Sequence, residues 1–479
     1  MTILRNLSML SDFYEFTMSN GYYNNGMKDT IAVFDAFYRK NPDDAGYSIF
    51  AGLKDIIYYI ENLHFDDEDI EYFRENANFS EAFLEYLRNF KFTGDVWAFP
   101  EGSVMFPGEP IITVKAPIIE CSIIETYLLL SMNFNSLIAT KANRIVRSAR
   151  GKLVMEFGAR RAQGADASIN GARAAYIGGA PITSNTISAK NYKFKASGTM
   201  AHSWVQAFDN EYEAFKTYAE LYPENCILLI DTYNTLDSGL PNAMRVFEEV
   251  LKPKGYVGGV RIDSGDLAYL SKEVRKRLDE NGFKDYSIVA SNSLDEFKLE
   301  SLYAQGAKID SFGIGERLIT AKSDPVFGGV YKLVGIEKDG ELVSKIKVSE
   351  NVEKITTPGF KKVYRIYSEE NKAEADYIAL DHEVIDESKP LVIFDPFFTW
   401  KMKRMENYKL RPMQVPIFEK GKLVYKEPSL EEIKDYRQRE VDSLWDEVKR
   451  YDQPHDYYVD LSQELWNLKQ KLILEAKSK

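Results

Sequence analysis

The chain has 479 residues and a formal net charge of −12, with 44% hydrophobic and 28% charged residues. This balance is typical of a folded globular protein and excludes an intrinsically disordered chain, and the length favours two or three domains. The two cysteines match neither a disulfide framework nor a zinc site, which favours a reducing compartment.

Residues 1–140 mix helical and extended stretches and are predicted to form an N-terminal α+β domain. Their start lacks the apolar core of a signal peptide, so we expect no export and a cytoplasmic location. The most hydrophobic stretch, residues 116–132, is interrupted by Glu120 and Glu125 and is shorter than the roughly 20 apolar residues that span a bilayer. It predicts a buried helix rather than a membrane span.

Positive charge is concentrated in the next part of the chain. Residues 141–200, called here the basic segment, contain eleven Lys and Arg residues but only two acidic residues, and His202 lies two residues beyond its end. Positive charge concentrated in one segment predicts a site for a polyanionic small molecule, because nucleic-acid binders usually spread their basic residues over a whole face. An imidazole can carry a proton or a phosphoryl group near neutral pH. A histidine hydrogen-bonded in a turn is the structural alternative.

Residues 141–335 are predicted to form a parallel α/β barrel. Short β-rich runs recur there, each followed by a turn and a helical stretch, at residues 153–157, 227–231, 256–263, 287–291 and 309–315. Nearly continuous apolar runs are typical of strands buried on both faces, and their spacing suits strand, loop, helix and return loop. A barrel fits better than an open sheet, because polar side chains follow several runs and no Gly-x-Gly-x-x-Gly follows the first one.

The pattern changes after residue 335 to short strands and turns, followed by two terminal helices. The first of these helices is predicted to begin at a capping box formed by Ser429 and Glu432. We assign residues 336–479 to a C-terminal segment that packs on the other domains.

Charged side chains stand near the ends of two predicted strands. Arg261 and Asp263 are two residues apart on one strand and therefore share a face, and Asp231 ends the preceding run. Carboxylates in this position can hold ribose hydroxyls, bind Mg²⁺ or stabilise positive charge on a sugar carbon. The structural alternative is a local salt bridge together with an Asp N-cap for the next helix.

Two further strand ends offer groups that bind phosphate. Gly313 and Gly315 can expose backbone N–H groups, as at the phosphate sites of barrel enzymes. Arg160 and Arg161 carry guanidinium groups suited to phosphate or carboxylate, with the ring of Phe157 beside them. Ordinary turn geometry and surface arginines are the alternatives.

Six short motifs occur in a fixed order along the chain. They are SDFYEFTM at 11–18, EFGARRAQ at 156–163, GTMAHS at 198–203, GVRIDSG at 259–265, GIG at 313–315 and GGVYK at 328–332. With these motifs the chain resembles the nicotinate phosphoribosyltransferase family from about residue 8 to 335.

The resemblance implies a type II phosphoribosyltransferase fold, an irregular α/β barrel with flanking α+β domains from both chain ends. It also implies a homodimer with shared active sites. The implied reaction converts nicotinate, phosphoribosyl pyrophosphate, ATP and water to nicotinate mononucleotide, pyrophosphate, ADP and phosphate, the entry step of NAD synthesis from nicotinate. ATP would be a co-substrate and Mg²⁺ a cofactor, with neither nucleic acid nor a membrane as partner.

The resemblance also implies a role for each matching residue. His202 would be the autophosphorylated histidine. Phe157 and the partner subunit's Tyr14 would sandwich the pyridine ring, with Thr199 and Arg261 near the nicotinate. The catalytic set would be His202, Asp231 and Asp263, the two carboxylates also being the candidate Mg²⁺ ligands. The phosphate-binding set would be Arg160, Arg161, Ser264, Gly265, Gly313 and Gly315.

Two alternatives stay open. A nicotinamide or quinolinate phosphoribosyltransferase would share the barrel but take a neutral base or one with a second carboxylate. A non-catalytic sensor on the same barrel would bind the donor and release no pyrophosphate. In addition, some family members have Thr after the GIG motif where this chain has Glu316. A carboxylate there would repel phosphate, so Glu316 is given no role.

Overall fold

The computed structural model describes residues 6–351 and 354–477. The chain divides into two compact units. The barrel unit is Ile138–Pro325, and the terminal unit combines Met1–Leu137 with Val326–Lys479. The structure thus assigns residues 326–335, which we expected at the end of the barrel domain, to the terminal unit.

The barrel unit is built on seven parallel strands. In chain order they are β1 (Leu153–Glu156), β2 (Ile182–Thr183), β3 (Lys195–Ala196), β4 (Ile227–Leu229), β5 (Gly259–Ile262), β6 (Ser287–Ser291) and β7 (Ser311–Ile314). Their order across the sheet is β3-β2-β1-β7-β6-β5-β4, and every pair is parallel. The predicted irregular parallel α/β barrel is confirmed.

The central strands are apolar and buried, as the run pattern predicts. In β5 and β6, Val260 and Ile288 are fully buried and Ile262 is 1% exposed. The short strands β2 and β3 were not predicted, because two residues are too few to carry a pattern of alternating or continuous hydrophobicity.

Helices and short helical turns connect the strands of the barrel unit. The α-helices are Ala165–Gly178, Thr186–Tyr192, His202–Gln206, Glu211–Leu221, Leu240–Val246, Leu267–Glu280, Glu296–Ala304 and Glu316–Ile319. The 3₁₀ and π segments are Ala159–Arg161, Pro223–Asn225, Thr235–Gly239, Phe247–Leu251 and Lys252–Lys254.

The helix Leu267–Glu280 follows β5, as the predicted alternation of strand, turn and helical stretch requires. Its N-cap is Asp266, whose side chain accepts a hydrogen bond from the backbone N–H of Tyr269 at 3.0 Å. The helix ends shortly before Gly282, which has a positive φ of 84°. This cap directs the chain out of the turn that follows Asp263.

The terminal unit contains two larger sheets. The antiparallel seven-stranded sheet has the order Glu341–Ser344, Gly329–Lys338, Ile31–Tyr38, Ile112–Pro117, Asp95–Ala98, Val415–Glu419, Lys422–Leu423. The four-stranded sheet has the order Lys409–Pro412, Lys361–Tyr367, Ala373–Leu380, Tyr458–Leu461. Two small pairs are Ser48–Ile49 with Val104–Met105 and Leu391–Phe394 with Met402–Met405.

The helices of the terminal unit are Phe13–Asn24, Leu53–Asn62, Asp67–Asn76, Glu81–Arg88, Ile118–Ile123, Leu430–Ser443 and Gln463–Lys477. The capping box of Ser429 and Glu432 is confirmed, with both of its reciprocal hydrogen bonds present.

The hydrophobic stretch at 116–132 is largely buried, as predicted, and it is helical from residue 118 onward, since residues 116 and 117 end the strand Ile112–Pro117. Its helical part consists of the helix Ile118–Ile123 and the start of a second helix, Glu125–Ser148. Within residues 6–351 and 354–477, no helix combines the length and apolar character needed to cross a membrane.

Candidate functional site

The carboxyl ends of five barrel strands, β4, β5, β6, β7 and β1, lie at one edge of the sheet. The strand register pairs Leu229 with Arg261, Ile262 with Ala290, Ser291 with Gly313, and Ile314 with Glu156. Residues that follow or end these strands are therefore brought together although they are far apart in sequence. This edge holds most of the predicted site residues.

Arg261 is the centre of the hydrogen-bond network at this edge. Its Nε donates to Ser291 Oγ at 2.9 Å, and its Nη1 donates to Thr199 Oγ1 at 3.2 Å and to the carbonyl oxygen of Met200 at 3.4 Å. Its side chain is 15% exposed, and its Nη2 lies 3.5 Å from Asp263 Oδ1. The guanidinium is thus fixed by neighbours from three different parts of the chain, and it retains its positive charge for a ligand.

Two carboxylates follow the neighbouring strands β4 and β5. Asp231 Oδ2 accepts hydrogen bonds from the backbone N–H of Asp263 at 2.9 Å and from Ser264 Oγ at 2.6 Å. The other oxygen of Asp231, Oδ1, is buried and has no hydrogen-bond partner within the described residues. A buried carboxylate oxygen without a partner is unusual and indicates a place for a ligand hydroxyl or a cation.

His202 begins the short helix His202–Gln206 beside these carboxylates. Its Nδ1 lies 3.1 Å from Thr232 Oγ1, and its Nε2 lies 4.0 Å from Asp263 Oδ2. The imidazole is 41% exposed, so the ring remains accessible although Nδ1 is held by the protein. This geometry suits a histidine that exchanges a proton or a phosphoryl group with a ligand.

Phe157 follows β1 and forms an aromatic wall near Arg261, whose Cζ lies 5.9 Å from the ring centroid. The adjacent Glu156 is 1% exposed and accepts hydrogen bonds from Thr183 Oγ1 at 2.5 Å and from the backbone N–H of Gly158. Burial raises the pKa of Glu156. These bonds fix the backbone on both sides of Phe157.

Gly313 and Gly315 lie against Phe157. A Cβ atom on Gly315 would be 2.8 Å from the carbonyl oxygen of Phe157. Gly265 has a positive φ of 75° in the turn after Ser264. The glycines therefore satisfy requirements of the fold, and their predicted contact with phosphate remains a prediction.

Arg160 and Arg161 are exposed on the 3₁₀ turn that follows Phe157. Arg161 Nε lies 3.7 Å from Glu316 Oε2, and Lys322 Nζ donates to Glu316 Oε1 at 2.6 Å. The hydrogen bond from Lys322 and the nearby positive charges lower the pKa of Glu316. The carboxylate of Glu316 is thus compensated by two cations.

Tyr14 lies in the terminal unit, on the helix Phe13–Asn24, and is 46% exposed. Burial of its hydroxyl, and next the charge of Glu125, raise the pKa of Tyr14 to about 12. The phenol therefore stays neutral at physiological pH.

The basic segment is not gathered into one site. Lys141 and Arg144 are buried and both contact Glu296 Oε1, at 2.9 and 2.8 Å. Arg173 is buried against the ring of Tyr192, and Arg150 pairs with Glu300. The expectation that this charge as a whole serves a polyanion is therefore wrong for these residues, because they neutralise or pack against groups of the barrel unit itself.

The sequence did not single out Ser291, Thr232 or Glu156. Glu156 and Ser291 are the last residues of their strands and Thr232 lies three residues after one, and this position was the available signal. What the sequence does not give is the pairing between strands, and this pairing decides which strand ends are neighbours.

Both structural alternatives for the Arg261 region also hold, namely the contact with Asp263 and the Asp266 cap.

No group of three or more His, Cys, Asp or Glu side chains suited to a metal ion occurs in residues 6–351 and 354–477. Asp231 and Asp263 are thus candidate ligands only for a cation that takes its remaining ligands from substrate and water, which is the usual coordination of Mg²⁺.

Three family models match consecutive parts of the chain. The nicotinate phosphoribosyltransferase N-terminal domain matches residues 9–133, the nicotinate phosphoribosyltransferase family model matches 153–356, and the C-terminal domain matches 360–469.

Individual proteins give the same result. The chain is 46% identical over 474 residues to nicotinate phosphoribosyltransferase of Bacillus subtilis (strain 168), covering 99% of this chain and 96% of the relative. The crystal structure of human nicotinic acid phosphoribosyltransferase superposes with a TM-score of 0.83 at 27% identity, covering 97% and 99% of the two chains.

A nicotinate-nucleotide pyrophosphorylase from Pyrococcus furiosus also superposes, with a TM-score of 0.71 at 24% identity over 92% of this chain and 98% of that one. This last likeness concerns the fold alone. The match of all three domain models and the identity along nearly the whole chain settle the family. The chain belongs to the nicotinate phosphoribosyltransferase family.

Proposed function

We propose that this protein transfers the phosphoribosyl group of phosphoribosyl pyrophosphate to nicotinate and couples the transfer to ATP through phosphorylation of His202. The observation that carries the proposal is the position of Arg261. Its guanidinium is held beside an aromatic wall and within one hydrogen-bond network with the carboxylate of Asp263. A cation for the base and an anion for the sugar thus lie side by side.

The base would bind between Arg261 and Phe157. A guanidinium recognises a carboxylate through paired N–H donors, and an aromatic ring stacks on a pyridine. Thr199 contributes by holding Arg261 Nη1. This arrangement favours nicotinate over nicotinamide, because the amide lacks the negative charge that Arg261 would neutralise.

In the transfer, the bond between ribose C1 and the pyrophosphate oxygen breaks, and a bond between C1 and the pyridine nitrogen forms. The electron pair of the broken bond leaves with pyrophosphate, and positive charge develops on the sugar. Asp231 and Asp263 would stabilise this charge, and Asp231 Oδ1 is available for a ribose hydroxyl. Holding both substrates in line would supply much of the rate.

A ring nitrogen of His202 would form a bond to the γ-phosphorus of ATP while the bond from this phosphorus to the ADP oxygen breaks, so that ADP leaves with the electron pair. Water would later attack the phosphohistidine, releasing phosphate and regenerating the imidazole. Thr232 holds Nδ1, while Nε2 lies 4.0 Å from Asp263 Oδ2 on a ring that is partly exposed. A covalent phosphoryl group adds negative charge at the edge where the donor binds, and so shifts the population between binding states. The enzyme would therefore be an ATP-coupled glycosyltransferase of NAD synthesis.

Mg²⁺ fits this edge because Asp231 Oδ1 has no other partner within the described residues and Asp263 lies beside it. Bound there together with the substrate, the ion would offset the charge of the pyrophosphate group. Backbone and side-chain groups would hold the phosphates, the proposed set being Arg160, Arg161, Ser264, Gly265, Gly313 and Gly315.

The proposal includes a homodimer in which the partner subunit's Tyr14 completes the base site. Tyr14 is half exposed on its helix and neutral, which suits an aromatic group that stacks on a pyridine ring.

The test is pyrophosphate release by the purified protein with phosphoribosyl pyrophosphate and nicotinate, with and without ATP. Nicotinamide and quinolinate are assayed in parallel. Nicotinate-dependent release that ATP stimulates supports the proposal. Faster release with one of the other two bases, or donor binding without any release, contradicts it.

Phosphorylation is tested separately with γ-labelled ATP. We expect label on the wild type and none on His202→Ala, which should lose the stimulation by ATP and keep slow basal transfer. An unlabelled wild type, or a labelled variant, would remove His202 from the mechanism.

A further inference from the structure

We infer that Ser291 is a positioning residue that joins the base site to the histidine site, an inference that rests on the proposed function. Its hydroxyl bridges Arg261 and Asp263, the two groups on which the proposed transfer depends. It would act through these two side chains and not through contact with the reacting atoms.

The bridge is short and enclosed. Ser291 Oγ accepts a hydrogen bond from Arg261 Nε at 2.9 Å and donates one to Asp263 Oδ1 at 2.5 Å. The residue is 4% exposed. A hydroxyl has a single donor, so in this arrangement the proton of Ser291 is committed to Asp263.

The direct contact between Arg261 and Asp263 cannot replace this bridge. Their closest atoms, Nη2 and Oδ1, are 3.5 Å apart, beyond the usual distance of a strong charged hydrogen bond. Without the hydroxyl, Nε of Arg261 and Oδ1 of Asp263 each lose a partner. The guanidinium can then rotate toward the carboxylate, away from the orientation that serves the base.

Ser291 also determines which oxygen of Asp263 faces His202. Since Oδ1 is bound to Ser291, Oδ2 is the oxygen that lies 4.0 Å from His202 Nε2. One hydroxyl therefore sets the orientation of Arg261 and, through Asp263, the environment of the histidine. This makes Ser291 a physical link between nicotinate binding and phosphorylation.

The backbone holds Ser291 in register. It is the last residue of β6 and pairs with Gly313 of β7. Directly after it, Asn292 and Ser293 have positive φ values of 96° and 50°, so the chain turns sharply there. Strained residues in succession persist only where the surroundings fix them, which is typical of a functional edge.

The experiment compares Ser291→Ala with Ser287→Ala, a control at the other end of the same strand and on the same face. Steady-state kinetics are measured with nicotinate and with phosphoribosyl pyrophosphate as the varied substrate. We expect Ser291→Ala to raise the KM for nicotinate at least about tenfold, the loss typical of one hydrogen bond to a charged group, and to lower kcat. Ser287→Ala should match the wild type.

A double-mutant cycle with Arg261→Lys separates positioning from a general structural effect. Lysine has no Nε–H to bind Ser291, so adding Ser291→Ala should raise the KM for nicotinate much less in that background. Equal effects in both backgrounds overturn the inference, as does an unchanged KM in Ser291→Ala.

Ser291→Cys, which keeps the size and replaces the hydroxyl with a weak donor, should change the KM for nicotinate in the same direction. An unchanged KM in this variant also overturns the inference.

The two proposals fail in different ways. A wild type without nicotinate-dependent pyrophosphate release would contradict the proposed function. An active wild type whose kinetics are equal to those of Ser291→Ala would leave the function intact and remove the role of Ser291.

Discussion

A Cβ atom on Gly313 would lie 2.5 Å from Cδ2 and 2.6 Å from Cε2 of Phe157. Such distances are not tolerated between carbon atoms, so the ring occupies its place only because residue 313 has no side chain. The second glycine of the GIG motif, Gly315, makes room in the same way for the backbone of Phe157. The motif thus has a packing role beside any contact with phosphate.

The first prediction concerns this contact. Gly313→Ala should displace the ring of Phe157 and raise the KM for nicotinate by about 2- to 10-fold, as expected from the loss of one aromatic contact. The KM for phosphoribosyl pyrophosphate should change less. Gly21→Ala is the control, since an added Cβ there has no atom within 4 Å apart from the backbone of its own helix and its chain neighbours. A larger change in the KM for phosphoribosyl pyrophosphate would assign Gly313 to the donor site instead, and equal changes in both KM values would contradict a role specific to the base site.

The second prediction concerns Thr232, whose hydroxyl lies 3.1 Å from His202 Nδ1. Thr232→Val keeps the shape and removes the hydroxyl, so the imidazole loses the partner that orients it. We expect about 3- to 10-fold slower incorporation of label from γ-labelled ATP, with basal transfer unchanged. Thr232→Ser should restore the wild-type rate. Normal labelling of the valine variant would exclude this role for Thr232.

The third prediction concerns Glu296, which is fully buried and contacts both Lys141 and Arg144. Glu296→Gln leaves two buried cations without that negative charge and should lower the free energy of unfolding by about 3–5 kcal/mol. Urea denaturation measures this change. Glu300→Gln, which breaks the exposed pair with Arg150, should cost less than about 1 kcal/mol. Equal losses in the two variants would show that burial does not govern the effect.

The apolar β-rich runs and the distances between them were sufficient to predict the parallel barrel, because buried strands and the helices that connect them leave strong hydrophobic patterns in the sequence. The basic segment was misleading for a physical reason. A count of charges along the chain does not show which acidic side chain neutralises each basic one in the fold. Glu296, which contacts Lys141 and Arg144, lies more than 150 residues from both in sequence. Ser291 was missed similarly, since a serine at a strand end becomes informative only when its neighbours across the sheet are known.

The last prediction is a pH dependence of stability that arises away from the proposed site. Asp460 lies on the strand Tyr458–Leu461 and is 3% exposed. Burial, and next the charge of Asp395, raise the pKa of Asp460 from 3.8 to about 7. Between these two pH values the native protein keeps a proton that the unfolded chain has released. The unfolded state therefore binds fewer protons, and the contribution of Asp460 to stability falls as the pH rises through this window.

Asp460→Asn removes the charge at every pH. Its melting temperature should exceed that of the wild type, by a margin that is small at pH 5, grows up to about pH 7 and is nearly constant above. Asp456→Asn, an exposed change on the same segment, should show no such trend. Thermal melts at pH 5, 6, 7 and 8 provide the measurement. A margin that is already as large at pH 5 as at pH 8 would mean that Asp460 ionises at its ordinary pKa in the folded protein, and that burial beside Asp395 does not hold its proton.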